Sequence, residues 1–291
     1  MKGYKAFQKG MICRGKQYAE NTVYEEQGAD SCCKEGVMHY CETPFDVWNY
    51  YPVVDDNGDF TEYAEVEPLS EVQRDGDKCA TKKMRIGTKL SLKDFIKAQI
   101  DAVTRKPEMP KDYVSSSDGN QLASSSDGSQ LASSGNWSQL ASSGNGNRLA
   151  SSGNWSQLAS SGDRSRLASS SDGSQLASSG NWSQLASSGD GSRLASSGDG
   201  SRLASSGDES RLASSGDWSK LAVMGSNSIG ASVGFNSKAK GIIGNWIVLA
   251  EWKNKDGAMC PVCVKAAKID GEIIKADTWY TLKNGEFVEA I

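Results

Sequence analysis

The chain has 291 residues, a net charge of −4 and 23% charged residues, enough length for two ordinary domains. Without a basic excess or an apolar run of about 18 residues, it reads neither as a nucleic-acid or membrane-surface protein overall nor as a transmembrane one. No apolar stretch follows Met1-Lys2-Gly3-Tyr4-Lys5, so no secretion signal is expected; seven cysteines at irregular spacing fit a reduced cytoplasm better than a disulfide framework.

Residues 1–112 have ordinary mixed composition and read as a small α+β domain. A strand is expected at Tyr4-Lys5-Ala6-Phe7, followed by the Cys13-Arg14-Gly15 segment. Then come a strand through His39-Tyr40-Cys41, a turn at Pro44 and a short aromatic helix. Residues 63–67 alternate like a strand, 82–86 suggest another, and 92–100 form an amphipathic helix. Lys106-Pro107-Glu108-Met109-Pro110 resists helix and reads as a linker. His39 is the only histidine and fits a packed strand residue. Cys13, Cys32, Cys33 and Cys41 lack the C-x-x-C spacing of a zinc site and read as structural thiols.

From residue 113 the chain repeats every nine residues. Leu followed by Ala stands at every ninth position from Leu122 to Leu221, twelve times in all. A nine-residue period places successive Leu on opposite sides of a helix, and an odd period flips them between the faces of an unbroken strand. A strand interrupted by a turn in each unit resolves this. The turn is Ser-Ser-Gly-Asp/Asn-Gly, whose Gly and Asp/Asn tolerate positive φ. The strand is Ser-Arg/Gln-Leu-Ala-Ser, with Ser and Leu inward and Arg/Gln and Ala outward. Stacking buries the Leu, so the fold class is mainly β. It is a parallel β-solenoid over residues 113–250 with two nonapeptides in each coil of about 18 residues. A calcium roll is disfavoured: Ser, such as Ser192, stands at the metal-ligand position of that repeat, and Asp exchanges freely with Asn at the turns.

With two units per coil, the outward residue before Leu falls into two columns. One holds Gln121, Gln139, Gln157, Gln175, Arg193 and Arg211. The other is a basic ladder of Gln130, Arg148, Arg166, Gln184, Arg202 and Lys220 that could attract phosphates or an acidic partner, or merely solvate the sheet. After the turn Asp/Asn come Trp137, Trp155, Trp182 and Trp218, elsewhere Gly, Arg or Glu. Trp137 and Trp155 lie one coil apart, placed to stack. These rings suit stacking on sugars, bases or a protein, or else they shield the neighbouring turn.

Residues 251–291 read as a β-hairpin cap closing the open end against edge pairing, with turns at Lys255-Asp256-Gly257, Asp270-Gly271 and Asn284-Gly285. Cys260-Pro261-Val262-Cys263 is a true C-x-x-C, half a metal site or a redox pair; a strand after a hairpin turn explains it equally, and no metal is assigned.

The segment Cys41-Glu42-x-Pro44-x-Asp46-Val47-x-x-Tyr50-Tyr51, with the Ser/Gly nonapeptides and the ending through Ile247–Trp252 and Ala276–Tyr280, resembles uncharacterised phage and prophage proteins, a likeness that implies no particular chemistry. The strand–Tyr–helix–Tyr order is similar to ADP-ribosyltransferase folds, which implies NAD-binding roles for Arg14, His39 or Tyr40, Tyr50 and Glu65. Residues 225–241 resemble the head repeats of trimeric adhesins, implying a fibre or homo-oligomer. The leading expectation is a non-enzymatic, phage-type repeat protein without cofactor. It would act in a host cytoplasm or virion as a rigid spacer and binding surface for a protein, nucleotide or glycan. An N-terminal domain that uses NAD or a nucleotide is the alternative.

Overall fold

The computed structural model describes residues 2–27, 36–53, 55, 59–104 and 114–290. The expected linker and Cys32 and Cys33 lie outside these. Residues 1–105 and 106–291 form two compact units. No helix among the described residues is long and apolar enough to cross a membrane.

The first unit is built on a seven-stranded sheet. Its strands are β1 (Gly3–Phe7), β4 (Val23–Glu25), β5 (Met38–Cys41), β6 (Glu62–Pro68), β7 (Val72–Asp75), β8 (Lys78–Thr81) and β9 (Lys83–Leu90); β2 (Ile12–Cys13) and β3 (Lys16–Gln17) form a separate hairpin. The sheet order is β4-β9-β6-β1-β5-β8-β7, and its paired strands are antiparallel. The expected aromatic helix is a 3-10 turn, Pro44–Asn49, and the amphipathic helix α1 runs Leu92–Thr104. Phe95 of α1 stacks on Tyr63 with ring centroids 3.9 Å apart, and Phe45 stacks on Trp48 at 4.3 Å. The buried Trp48 indole donates to the Tyr63 hydroxyl at 2.9 Å, so this aromatic layer is closed by hydrogen bonds as well as by area.

The second unit is mainly a parallel solenoid of about eight coils spaced about 18 residues apart. Odd and even units build separate sheets in perfect register: Leu122, Leu140 and Leu158 pair in one, and Leu131, Leu149 and Leu167 in the other. Leu131 to Leu221 are each 2% exposed or less and form one continuous core. Most of the inward Ser are buried too, and their hydroxyls are satisfied locally, except those of Ser196 and Ser232. Ser138 Oγ bonds Ser133 Oγ at 2.7 Å and donates to the Gly135 carbonyl at 2.7 Å, a motif repeated along the rod. Outward Ala is exposed on the sheet carrying Gln139 and buried on the sheet carrying Arg148.

At the corners the structure corrects the expected turn chemistry. Positive φ falls on the residue after Asp/Asn, such as Gly119, Gly146 and Trp137, while Asp and Asn keep ordinary φ. The earlier glycine is small for another reason. A Cβ on Gly180 or Gly198 would stand 2.1 Å from the carbonyl oxygen of the coil below. Asp and Asn interchange because either side chain offers the same acceptor to the next coil. Asn136 N–H donates to Asp118 Oδ1 at 2.8 Å, Asn154 N–H to Asn136 Oδ1 at 2.9 Å, and Asp208 N–H to Asp190 Oδ1 at 2.8 Å.

The Leu columns end by exchange of volume. Gly230 takes the place after Leu212, and Val223 from the other sheet lies 3.3 Å from where its Cβ would be. Ile247 and Leu249 follow in the core. Two hairpins then cap the rod. Strands Trp246–Lys255 and Ala258–Lys268 extend one sheet, and Tyr280–Lys283 and Glu286–Glu289 extend the other. The Trp252 indole donates to the Val233 carbonyl at 2.9 Å, and the buried Lys240 amine meets Asp277 at 2.7 Å.

Candidate functional site

The first unit holds a cleft that begins at a weakness in its sheet. β1 pairs with β6 over five residues but with β5 through one pair, Tyr4 and Cys41. Beyond that pair the strands part, and the opening widens into a cleft of about 440 Å³. Where ladder bonds stop, Lys5 enters: it is 5% exposed, and its amine donates to the His39 carbonyl at 2.8 Å. Burial holds its pKa below the usual lysine range, and the Phe7 and Tyr18 rings lie 5.6 Å from the nitrogen.

The other walls come from turns. The β2–β3 hairpin closes through Arg14 and Gly15, both at positive φ (50° and 75°). Such a two-residue turn ordinarily takes Asn, Asp or Gly first, so arginine is a costly choice there. It carries an exposed guanidinium to the cleft. Opposite, the Tyr50 hydroxyl donates to Asp77, and the Lys78 amine sits 4.2 Å above the Tyr50 ring centroid. Burial first, then the charges of Arg14, Lys5 and Lys78, hold the His39 imidazole down at about 4, so it is neutral at physiological pH. Burial pushes the Cys41 thiol up to about 12, which keeps it protonated and a poor nucleophile.

Arg14, His39, Tyr40 and Tyr50 therefore line one cleft. Glu65 does not join them. It lies on β6, accepts from Lys2 at 2.9 Å, and belongs to a separate depression with Glu67 and Arg85. The ADP-ribosyltransferase-like set is thus left without its acid, because β6 lies beyond β1 from the split. Lys5 and Lys78 were not singled out from sequence; the one available signal was a lysine sharing a strand face with Phe7.

In the second unit, Trp137, Trp155, Trp182 and Trp218 are 62%, 54%, 62% and 57% exposed, each with φ close to 60°. Trp137 and Trp155 stack as expected, 5.8 Å between centroids and 13° apart. The rings also lie over neighbouring turns. The Trp155 ring fills the space a Cβ would take at Gly173, and Trp182 does so at Gly200. Trp218 meets Phe235 edge-on at 5.7 Å. Each ring is thus braced on one side and still more than half in solvent. The basic ladder behaves differently from a free charged surface. Arg166 is 8% exposed, Arg148, Arg202 and Lys220 are half-buried, and all four are already engaged in polar, ring or electrostatic contacts.

Cys260 and Cys263 are half-buried free thiols on strand Ala258–Lys268. Their partners across the hairpin are Lys253 and Glu251, two residues apart, and a bulge intervenes. The bulge therefore puts both thiols on one face of the strand. No third ligand completes a metal site with them among the described residues.

Residues 1–98 match a domain of unknown function, DUF7666. The match spans about a third of the chain and includes the lining of the cleft. No curated protein and no solved structure matches the chain.

Proposed function

We propose that the solenoid is a rigid, non-enzymatic spacer whose tryptophan-bearing corners bind a host or viral macromolecule. One observation carries this reading: four tryptophans occupy left-handed corner positions where other units of the same rod have glycine. A bulky side chain in that conformation costs about 1 kcal/mol, and more than half of each ring remains in water. Folding alone gives little reason to choose Trp over Gly there, whereas a flat, rigid aromatic surface is what recognition of a sugar, base or protein uses. The resemblance of the N-terminal segment to phage and prophage proteins supports a host cytoplasm or a virion as the setting.

The test compares the full chain with the double variants Trp137→Gly/Trp155→Gly and Trp182→Gly/Trp218→Gly in affinity capture from the expressing host. The expected result is a defined species retained by the wild type and lost from at least one variant, with unchanged melting. Identical capture by all three proteins contradicts the reading.

A further inference from the structure

The cleft of the first unit carries an inference independent of the tryptophan corners. Its lining includes three cations, Lys5, Arg14 and Lys78, and neither Asp nor Glu. Among the described residues no carboxylate pairs with Arg14. Asp77 stands beside the cleft, accepting from Asn49 and Tyr50 of its lining, and Lys78 has interactions of its own, so Arg14 is the cation that offers its charge to an incoming anion.

Three features describe that anion. Arginine presents planar, two-pronged donors that match a phosphate, and it stands on a strained turn that delivers it to the cleft. The Lys5 amine donates to the His39 carbonyl and shares a hydrogen bond with the Cys13 thiol, which leaves an ammonium one donor to give. The volume of about 440 Å³ lies in the range of small-molecule sites, about 300–1,000 Å³, and exceeds what a lone phosphate fills. Tyr50, which is exposed, and half-buried Tyr51 bring aromatic surface for the remainder. We propose that this cleft binds a phosphate-bearing small molecule, its phosphate held among Arg14, Lys5 and Lys78 and its body against the tyrosines.

Titration calorimetry on the full chain at constant ionic strength tests this, using pyrophosphate, ADP, adenosine and succinate. Pyrophosphate and ADP are expected to bind saturably below about 1 mM, with no detectable heat from adenosine or succinate. Arg14→Gln and Lys78→Gln change surface-accessible groups and should each weaken ADP about tenfold while melting as the wild type does. Lys5→Met should abolish binding. If that variant melts early, the decision falls to the other two. Absence of saturable pyrophosphate and ADP binding, affinity unchanged in both Arg14→Gln and Lys78→Gln, or succinate binding as well as pyrophosphate would each overturn the proposal.

Discussion

The residue after each corner Asp or Asn decides two things at once, backbone comfort and surface chemistry. Glycine there satisfies only the first. Replacing Trp137 by Gly relieves about 1 kcal/mol of conformational cost and forfeits a half-exposed ring contact of similar size, so chemical denaturation should find stability within about 1 kcal/mol of wild type. The other corner glycine has the opposite constraint. At Gly180 a Cβ would meet the Gly162 carbonyl at 2.1 Å, so Gly180→Val should lower stability by roughly 3 kcal/mol or more. Gly180→Ser should cost less, because Ser171 occupies the equivalent position and turns its hydroxyl to the Gly153 carbonyl at 2.6 Å. Leu176, 1% exposed between Leu158 and Leu194, should lose about 2–5 kcal/mol on replacement by Ala. A denaturation series separates these three classes, and equal effects would refute the assignment of roles. From sequence, the Leu column is plain because apolar residues recur in phase. The left-handed corner was also within reach, since Gly alternates there with Trp, Arg, Glu and Asn. The preceding Gly obscures it, because that residue has the character of a turn residue as well.

At the scale of elements, the cap hairpins lean on carboxylates. Asp270 Oδ1 accepts the amides of Glu272, Ile273 and Ile274, each at 2.9 Å, and Glu251 accepts the Gly285 amide at 2.7 Å. These bonds hold both carboxyls below their ordinary range. A group lowered by folding stabilises fully above its unfolded pKa, about 3.9 for Asp and 4.3 for Glu, and that share is lost as pH falls through the folded value. Protection against amide exchange, relative to the intrinsic rate at each pH, should therefore fall in residues 270–290 below about pH 4 before the central coils respond; uniform loosening of rod and cap would contradict it. In the first unit, β1, β5, β6 and α1 were legible as apolar alternation or helical spacing. Strands β7 and β8 were not: Val72-Gln73-Arg74-Asp75 has no alternation, and pairing alone makes it a strand. The cleft was half legible. Arg14, His39 and Tyr50 could be named, but the split between β1 and β5 that admits Lys5 is a register event, and sequence spacing does not report it.

Across the second unit, stability resides in contacts between adjacent coils, so the rod is close to a one-dimensional array. Its length is then adjustable in whole coils only. Odd and even units feed different sheets, and the two cap hairpins each extend one of them, so the cap distinguishes eighteen residues from nine. The most direct measurement is a pair of excisions from the middle of the rod: residues 178–195, one coil, and residues 178–186, one unit. Each protein is followed by thermal unfolding and circular dichroism. The longer deletion should keep a single cooperative transition and sheet content in proportion to its length. The shorter one, which hands every later strand to the opposite sheet, should lose cooperativity or melt far lower despite removing half as much. Equal tolerance of both excisions would mean that the repeats do not stack as paired strands, and would contradict the account.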